Sequence, residues 1–497
     1  MLHIRIKPRL DCDVVVAGGG PAGSAAANYL AGAGLEVTLI DRQFFPRDKV
    51  CGDFVGPLAL VELQLLGITD LPEFKKSNII RYANLHLNGR NIISRSIPHI
   101  KNLPSYGRVI PRSSLDQLLF NAAAEAGARG MQGYRVTGYE AKPDFVEVFA
   151  ENTHGKITLR TKLLIGADGS SSTVARQLRG KPAPRHDRII SVRAYFSGVE
   201  GSVDEADLYF DSESFPGYYW LFPTGNHSAN VGIGMVLDTL PPSSNRLGEL
   251  LLRLIKKDPA LNRRLQNAEM VGKIAGWPLT TYDASLALVD DRVMLAGDAA
   301  GLINPLNGEG IQYALLSGRI AAEAAISHIG QDLSKRNLHE YSSRIEDELR
   351  YDMALSNIIV NLIRNRILNP VWLKVLNIIV SRARIDHDYA ELTGGILAGL
   401  VPAHDALSFK VITGTIEQAV MSLGFEAFWS SLKGPRYLAG TAMKKGSEGI
   451  ALINETLEHP FDVAGWGFKA SACGLELAGQ AFSSLLKEKG HRSRSII

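Results

Sequence analysis

The apolar positions of this chain change period as it runs. Val14, Val15, Val16 and Ala17 form an unbroken apolar run, the mark of a strand covered on both faces. It passes into Gly18-Gly19-Gly20-Pro21-Ala22-Gly23, then a helical stretch from Ser24 to Gly32, then Glu36-Val37-Thr38-Leu39-Ile40-Asp41, a second strand that ends on an acid. From Arg81 to about Ser105 the period drops to two in short segments such as Ala83-Asn84-Leu85-His86-Leu87, which predicts a hairpin-like excursion. Helical spacing returns at Pro111 to Ala126, with Ser113 the expected N-cap and Asp116 in the first turn. Strand-like runs at Phe145 to Ala150 and Leu163 to Ile165 lead into Gly166-Ala167-Asp168-Gly169, and a β-rich stretch follows from Arg188 to about Trp277, with turns at Pro216-Gly217 and Thr224-Gly225. Arg292 to Leu295 is again a buried strand, Gly310 to Ile329 a helix, and the chain after Leu333 is almost wholly helical.

This order predicts a nucleotide-binding domain that is interrupted and then completed. Its expected pieces are residues 10–80, 105–180 and 285–335, with a β-sheet substrate domain at 81–104 and 181–284 and a helical C-terminal region at 336–497. The length of 497 residues suits two or three domains, and 45% apolar with 21% charged residues is ordinary globular usage. A net charge of +3, with no long block of like charge except the short tail Lys489 to Arg494, points away from nucleic acid. The cysteines, Cys12, Cys51 and Cys473, are odd in number and scattered, so neither a disulfide framework nor a metal site is expected, and a reducing, cytoplasmic setting fits. The start of the chain has no continuous apolar segment of the secretory kind, and no stretch reaches 18 uninterrupted apolar residues.

The chemistry begins at the glycine turn. Gly18, Gly20 and Gly23 fit G-x-G-x-x-G, in which the first glycine bends the chain, the second lets backbone approach a pyrophosphate and the third permits close packing of helix on strand. Pro21 and Ala22 open the helix, whose free N–H groups and partial positive charge favour phosphate. Asp41, 18 residues after Gly23, stands where a carboxylate can accept ribose hydroxyls, with Arg42 beside it. Two later segments select FAD among dinucleotides. Asp168 and Gly169 form an acid-glycine turn between a strand and a helix, a pattern that also suits a simple N-capped turn. Gly297-Asp298 follows a strand, and Pro305-Leu306-Asn307-Gly308-Glu309-Gly310 opens the next helix. Asp298 can bind ribityl hydroxyls there. Backbone N–H groups from Gly308 to Ile311 can face the flavin N1–C2=O edge, where reduction places negative charge.

With these motifs in order, the sequence resembles the group A flavoproteins related to para-hydroxybenzoate hydroxylase, and Arg112 in Val109-Ile110-Pro111-Arg112 matches the arginine that this family places near the flavin pyrophosphate and ribityl chain. Two further segments narrow the resemblance to the geranylgeranyl reductase family. Pro46-Arg47-Asp48-Lys49-Val50-Cys51-Gly52 looks like its P-x-x-K-x-C-G, and Tyr218-Tyr219-Trp220-Leu221-Phe222-Pro223 like its Y-x-W-x-F-P. The resemblance covers roughly residues 10 to 330. It implies an α/β fold with a Rossmann-type FAD-binding domain, an inserted β-sheet substrate domain and a helical C-terminal region. It also implies reduction of isoprenoid double bonds by hydride from the reduced flavin.

Alternation directs Tyr218, Trp220 and Phe222 to one face, an apolar wall suited to a prenyl chain or other small apolar substrate. Tyr218 and Trp220 are therefore candidate catalytic residues, together with Cys51, which the family geometry would set near the flavin to shape or protonate the site; a small buried residue in a turn is the plainer account of it. Lys49 and Gly52 join the cofactor-binding candidates, Lys49 as a phosphate-facing or structural cation. The same fold serves O2-dependent monooxygenases and halogenases, which stay open as an alternative, although halogenases carry W-x-W-x-I-P where this chain has Tyr218 and Phe222.

No second glycine fingerprint follows a strand, because Gly394 to Gly399 has the wrong spacing. The external electron donor is then NAD(P)H docking transiently, or a partner protein. Arg364, Arg366, Lys374, Arg382 and Arg384 flank a pair of amphipathic helices from Met353 to Val380, a pattern that suits either a peripheral membrane surface or a cap over the substrate cavity.

Overall fold

The computed structural model describes residues 10–181, 188–240, 246–364, 366 and 369–397. The stretches Phe425 to Trp466 and Lys489 to Arg494, and Cys473, lie outside the described residues.

Strand β1 (Cys12–Ala17) is the centre of an eight-stranded sheet. It pairs in parallel with β2 (Val37–Asp41) on one side and with Gly155–Gly166 on the other. Arg129–Gln132 extends the sheet beyond β2, and Val293–Leu295 extends it beyond Gly155–Gly166. Val14 to Ala17 are fully buried, which is why the run is apolar at every position rather than at alternate ones. Burying each such Val, Leu or Ile contributes roughly 1.5–3 kcal/mol. Because the chain builds first to one side of β1 and later to the other, a crevice opens at the carboxyl ends of these strands, where α/β folds bind ligands.

Helix α1 (Pro21–Gly32) packs against Ile311–His328, with Gly318 at the contact: a Cβ there would lie 2.3 Å from the Ala22 carbonyl oxygen. A third helix, Arg112–Glu125, also packs on α1. Ser113 is not its N-cap. Pro111 occupies that position with no side-chain cap, so the helix starts two residues earlier than expected, proline's fixed φ setting its entry.

The second sheet has seven strands in the order Glu269–Thr280, Arg188–Ser197, Ser228–Val236, Tyr218–Gly225, Glu205–Phe210, Tyr82–Leu87 and Arg90–Ser96. The hairpin Tyr82–Ser96 thus joins strands more than a hundred residues further on, through a parallel pairing with Glu205–Phe210. Opposite Trp220 stands Gly232, where a Cβ would lie 2.3 Å from the indole, so the missing side chain makes room for the ring. The stretch expected to be β-rich also contains two helices, Leu247–Lys257 and Pro259–Leu265. Leu247, Leu250, Leu251 and Leu254 form one apolar stripe buried against Tyr219, Leu221 and Val231. Helices Lys335–Ile363, Asn369–Ile385 and His387–Leu397 complete the described chain. Among the described residues no helix is long and apolar enough to cross a membrane.

Candidate functional site

The glycine turn is shaped by contacts that leave no room for side chains. Gly18 has φ +105°, and a Cβ there would sit 2.2 Å from the Ala167 carbonyl oxygen; at Gly23 the clash would be with the Gly18 oxygen at 1.8 Å. Gly20 differs, its nearest neighbour being Arg47 Nη2 at 3.6 Å, so its backbone edge stays open to a ligand. Asp41 is buried and accepts hydrogen bonds from the amides of Gly19 and Gln43, both at 2.9 Å, leaving each oxygen a further lone pair. Arg47, which the sequence reading passed over inside the Pro46 to Gly52 motif, lies 3.5 Å from Asp41 and 3.0 Å from the fully buried Asp116. Arg112 grips the same Asp116 at 2.7 and 2.8 Å, so one buried carboxylate orients two cations beside the turn. Arg42, by contrast, is exposed, its guanidinium 5.8 Å from the Trp277 ring, and does not line the cavity.

The two later segments divide their work. Asp168 accepts the amide of Thr173 at 2.7 Å and the Ser172 hydroxyl, and so serves the N-terminus of helix Thr173–Arg179, while Gly169 takes φ +82° to turn the chain. Gly297 packs against α1, where a Cβ would meet that of Ala22 at 2.8 Å. Asp298 reaches the cavity. It pairs with Lys49 at 2.8 Å and with Ser170 Oγ at 3.2 Å; burial pushes its carboxyl up, but Lys49 and Arg112 outweigh this and hold it below the usual carboxylate range. Lys49 is thereby a partner of Asp298.

In front of these groups lies a cavity of about 390 Å³. Pro21, Lys49, Cys51, Gly52, Arg112, Asp298, Pro305, Gly308, Gly310 and Ile311 line it, together with Tyr218, Trp220 and Phe222. Pro21 and Ile311 begin α1 and Ile311–His328, so two helix N-termini converge here and add positive potential. Gly308, at φ +70°, has nothing within 4 Å of where a Cβ would be, which leaves its face open to a flat ring. The three aromatic rings do share one face, with successive centroids 6.0 Å apart. Tyr218 donates to the Asn307 carbonyl at 2.5 Å, tying this wall to the glycine turn. Val360, Ile363, Leu376, Ile379, Val380 and Ala383, from helices Lys335–Ile363 and Asn369–Ile385, close the far side. Arg366 donates to the carbonyls of Phe215 and Thr239, binding the cap to the second sheet.

The loop carrying Cys51 is clamped beneath the aromatic wall. Asn230 accepts from Trp220 Nε1 at 3.0 Å and donates to the Cys51 carbonyl and to Asp53 Oδ2, both at 2.8 Å. A Cβ on Gly52 would touch the Phe222 ring at 3.2 Å. Burial pushes the Cys51 thiol up and so keeps it protonated, although Arg112 partly offsets this. Asp53 is fully buried at φ +63°, a strained setting for a residue with a side chain, and burial raises it to about 6 against hydrogen bonds from Tyr195 and Asn230. Sequence reasoning did not single it out, although it directly follows the Cys51-Gly52 motif.

An open amide edge at Gly20, paired cations at Asp116, an acid at the end of β2 and an uncovered glycine turn at a helix N-terminus fit a flavin dinucleotide stretched from turn to cavity. The fold and site define an FAD-dependent oxidoreductase. A family model described as FAD binding domain matches residues 11–346. Menaquinone reductase of Mycolicibacterium smegmatis is 34% identical over 328 residues, 63% of this chain and 76% of that protein. Digeranylgeranylglycerophospholipid reductase 1 of Methanothermobacter thermautotrophicus is 32% identical over 343 residues, 68% of this chain and 83% of that protein. The crystal structure of a geranylgeranyl bacteriochlorophyll reductase-like protein from Thermoplasma acidophilum matches with a TM-score of 0.60 at 25% identity, covering 82% of this chain and 95% of that one. The chain belongs to the geranylgeranyl reductase family of FAD-dependent oxidoreductases.

Proposed function

We propose that this flavoprotein reduces carbon–carbon double bonds in a prenyl chain or another apolar substrate. The observation that carries the reading is the wall of Tyr218, Trp220 and Phe222, which closes an apolar cavity directly in front of the Gly308–Ile311 turn. Relatives named for menaquinone and for a digeranylgeranyl lipid support a lipid-like substrate.

In this reading residues 10–80, 105–180 and 285–335 hold the cofactor, residues 81–104 and 181–284 hold the substrate, and the helices after residue 336 cap it. The Gly18–Gly23 turn with Arg47 would hold the pyrophosphate, Asp41 the adenosine ribose, Asp298 the ribityl chain, and the amides of Gly308 to Ile311 the edge of the ring. Bound FAD supplies two-electron chemistry, with a hydride available from its reduced ring. The chain's own part is to exclude water with the aromatic wall, to seat the alkene over Gly52 and Cys51, and to keep the Cys51 thiol neutral. Transiently bound NAD(P)H is the electron donor. The basic residues of the cap serve packing before membrane contact, since Arg366 is bound to backbone carbonyls and Arg382 to Asp386.

Anaerobic photoreduction followed by mixing with prenyl lipids tests the proposal. Reoxidation of the flavin with appearance of saturated product is the expected result. Turnover only with O2 plus phenols or indoles would replace it with a monooxygenase, and halide incorporation with a halogenase.

A further inference from the structure

Glu309 is a half-buried acid with one carboxyl oxygen buried and unpartnered. It sits between Gly308 and Gly310 on the cavity wall, and its Oε1 has neither solvent contact nor a hydrogen-bond partner. Among the described residues no cation pairs with it. Its backbone is held from both sides, the amide donating to Asn307 Oδ1 at 2.9 Å and the carbonyl accepting from Asn304 at 2.9 Å, so the side chain is directed rather than loose. Across the cavity the Tyr218 hydroxyl is committed to the Asn307 carbonyl. A Cβ added at Gly56 would lie 3.4 Å from Oε1, so the opposing backbone leaves just enough room for this carboxyl. An unpaired carboxylate in such a place is costly, and a sequence selected for packing alone would place an apolar residue or glutamine there.

We propose that Glu309 is the proton donor of the site, a carboxylic acid kept neutral by the apolar cavity and delivering its carboxyl proton to an alkene carbon. The inference rests on the reductase reading and deepens it. The proton forms a C–H bond with the alkene π electrons at one carbon, and the other carbon takes the hydride that reduced flavin supplies. The alkene thus gains two hydrogens and two electrons, the flavin loses two electrons, and Glu309 is left as a carboxylate that regains its proton from water as product leaves. Asp53, Asp298 and Glu391 line the cavity as well, but Asp298 is paired with Lys49, Asp53 with Tyr195 and Asn230, and Glu391 with His387, which leaves Glu309, Tyr218 and Cys51 to compare. Burial raises Tyr218 and Cys51 above already weak acidities, whereas it raises Glu309 to about 8, so among these three groups Glu309 is the strongest acid and is still protonated at neutral pH. Tyr313, on the helix that follows it, and Tyr218 are coupled to it electrostatically, and both remain neutral phenols, their pKa values raised by burial.

The test uses the FAD-loaded protein and Glu309→Gln, which keeps shape and removes the proton. Infrared difference spectra between pH 6.5 and 9.5 should show a neutral carboxyl C=O band that disappears on alkalinisation in the parent and is missing in the variant. Flavin content and photoreduction should match the parent. Single-turnover reoxidation by a prenyl lipid should slow by roughly 10²–10⁴-fold, the range general acids contribute. Glu309→Asp should restore part of the rate, and the parent's rate should fall above about pH 8. Absence of the infrared band, or a Glu309→Gln rate equal to the parent's, overturns the role of Glu309 alone. A parent protein that never passes hydride to a prenyl lipid overturns the reductase reading instead.

Discussion

Lys49 and Asp298 are separated by 249 positions and meet at 2.8 Å on the cavity wall. Lys49→Met leaves the Asp298 carboxylate without its cation in a site that resists charge. Flavin affinity should drop about tenfold, equivalent to about 1.4 kcal/mol, since the pair is partly exposed and the full cost of a broken buried pair does not apply. In the parent, the lowered carboxyl contributes stability that is present above the unfolded pKa and lost as pH falls through the folded one. The melting difference between parent and variant should therefore shrink as pH falls below about 4, as thermal scans from pH 7 to pH 2 would record.

Gly20 and Gly23 separate folding from cofactor binding. Gly23→Ala forces a methyl to 1.8 Å from the Gly18 oxygen, so the turn must open and the protein should lose both flavin and thermal stability. Gly20→Ala meets nothing closer than Arg47 Nη2 at 3.6 Å and should fold normally, yet its methyl stands where the pyrophosphate passes. The expected product is a well-folded colourless protein. Melting curves of apoprotein beside visible spectra check both outcomes.

Asp53 should impose a pH slope on stability. Its folded pKa, about 6, exceeds the ordinary 3.8, so the folded chain holds this proton more tightly and stability falls as pH rises between roughly 4 and 6. Asp53→Asn keeps acceptors for Tyr195 and tolerates φ +63°, and it removes the slope. Above pH 6 the variant should be more stable by about 2–3 kcal/mol, with the gap closing below pH 4. Urea titrations at several pH values measure it.

Tyr218→Phe retains the ring contacts of the wall and removes only the bond to the Asn307 carbonyl. A loss of about 1 kcal/mol is expected for such a bond. The effect should fall on flavin retention, through a looser Gly308–Ile311 turn, with substrate affinity little changed. Fluorescence titration of apoprotein with FAD distinguishes the two.

Legibility differed between kinds of residue. The glycine turn, the strand ending at Asp41 and the aromatic alternation at Tyr218 were readable because each depends on spacing within one segment, which local geometry translates directly. The helices Leu247–Lys257 and Pro259–Leu265 carried a leucine stripe in plain view but were absorbed into a β-rich stretch, where the strands on either side dominated the pattern. Arg47 and Glu309 lie inside recognised motifs, and Asp53 directly after one, without being singled out. Their significance comes from partners elsewhere: Asp116 for Arg47, Asn230 and Tyr195 for Asp53, and the want of any partner for Glu309.

By itself, then, the order of residues determined the βαβ unit, the flavin class and the one-sided row of rings, because backbone periodicity converts spacing into direction. Only the tertiary structure decided which charges neutralise one another and which acid is left alone in an apolar chamber. Desolvation and ion pairing depend on distances between segments far apart in the chain, and no local pattern carries that information.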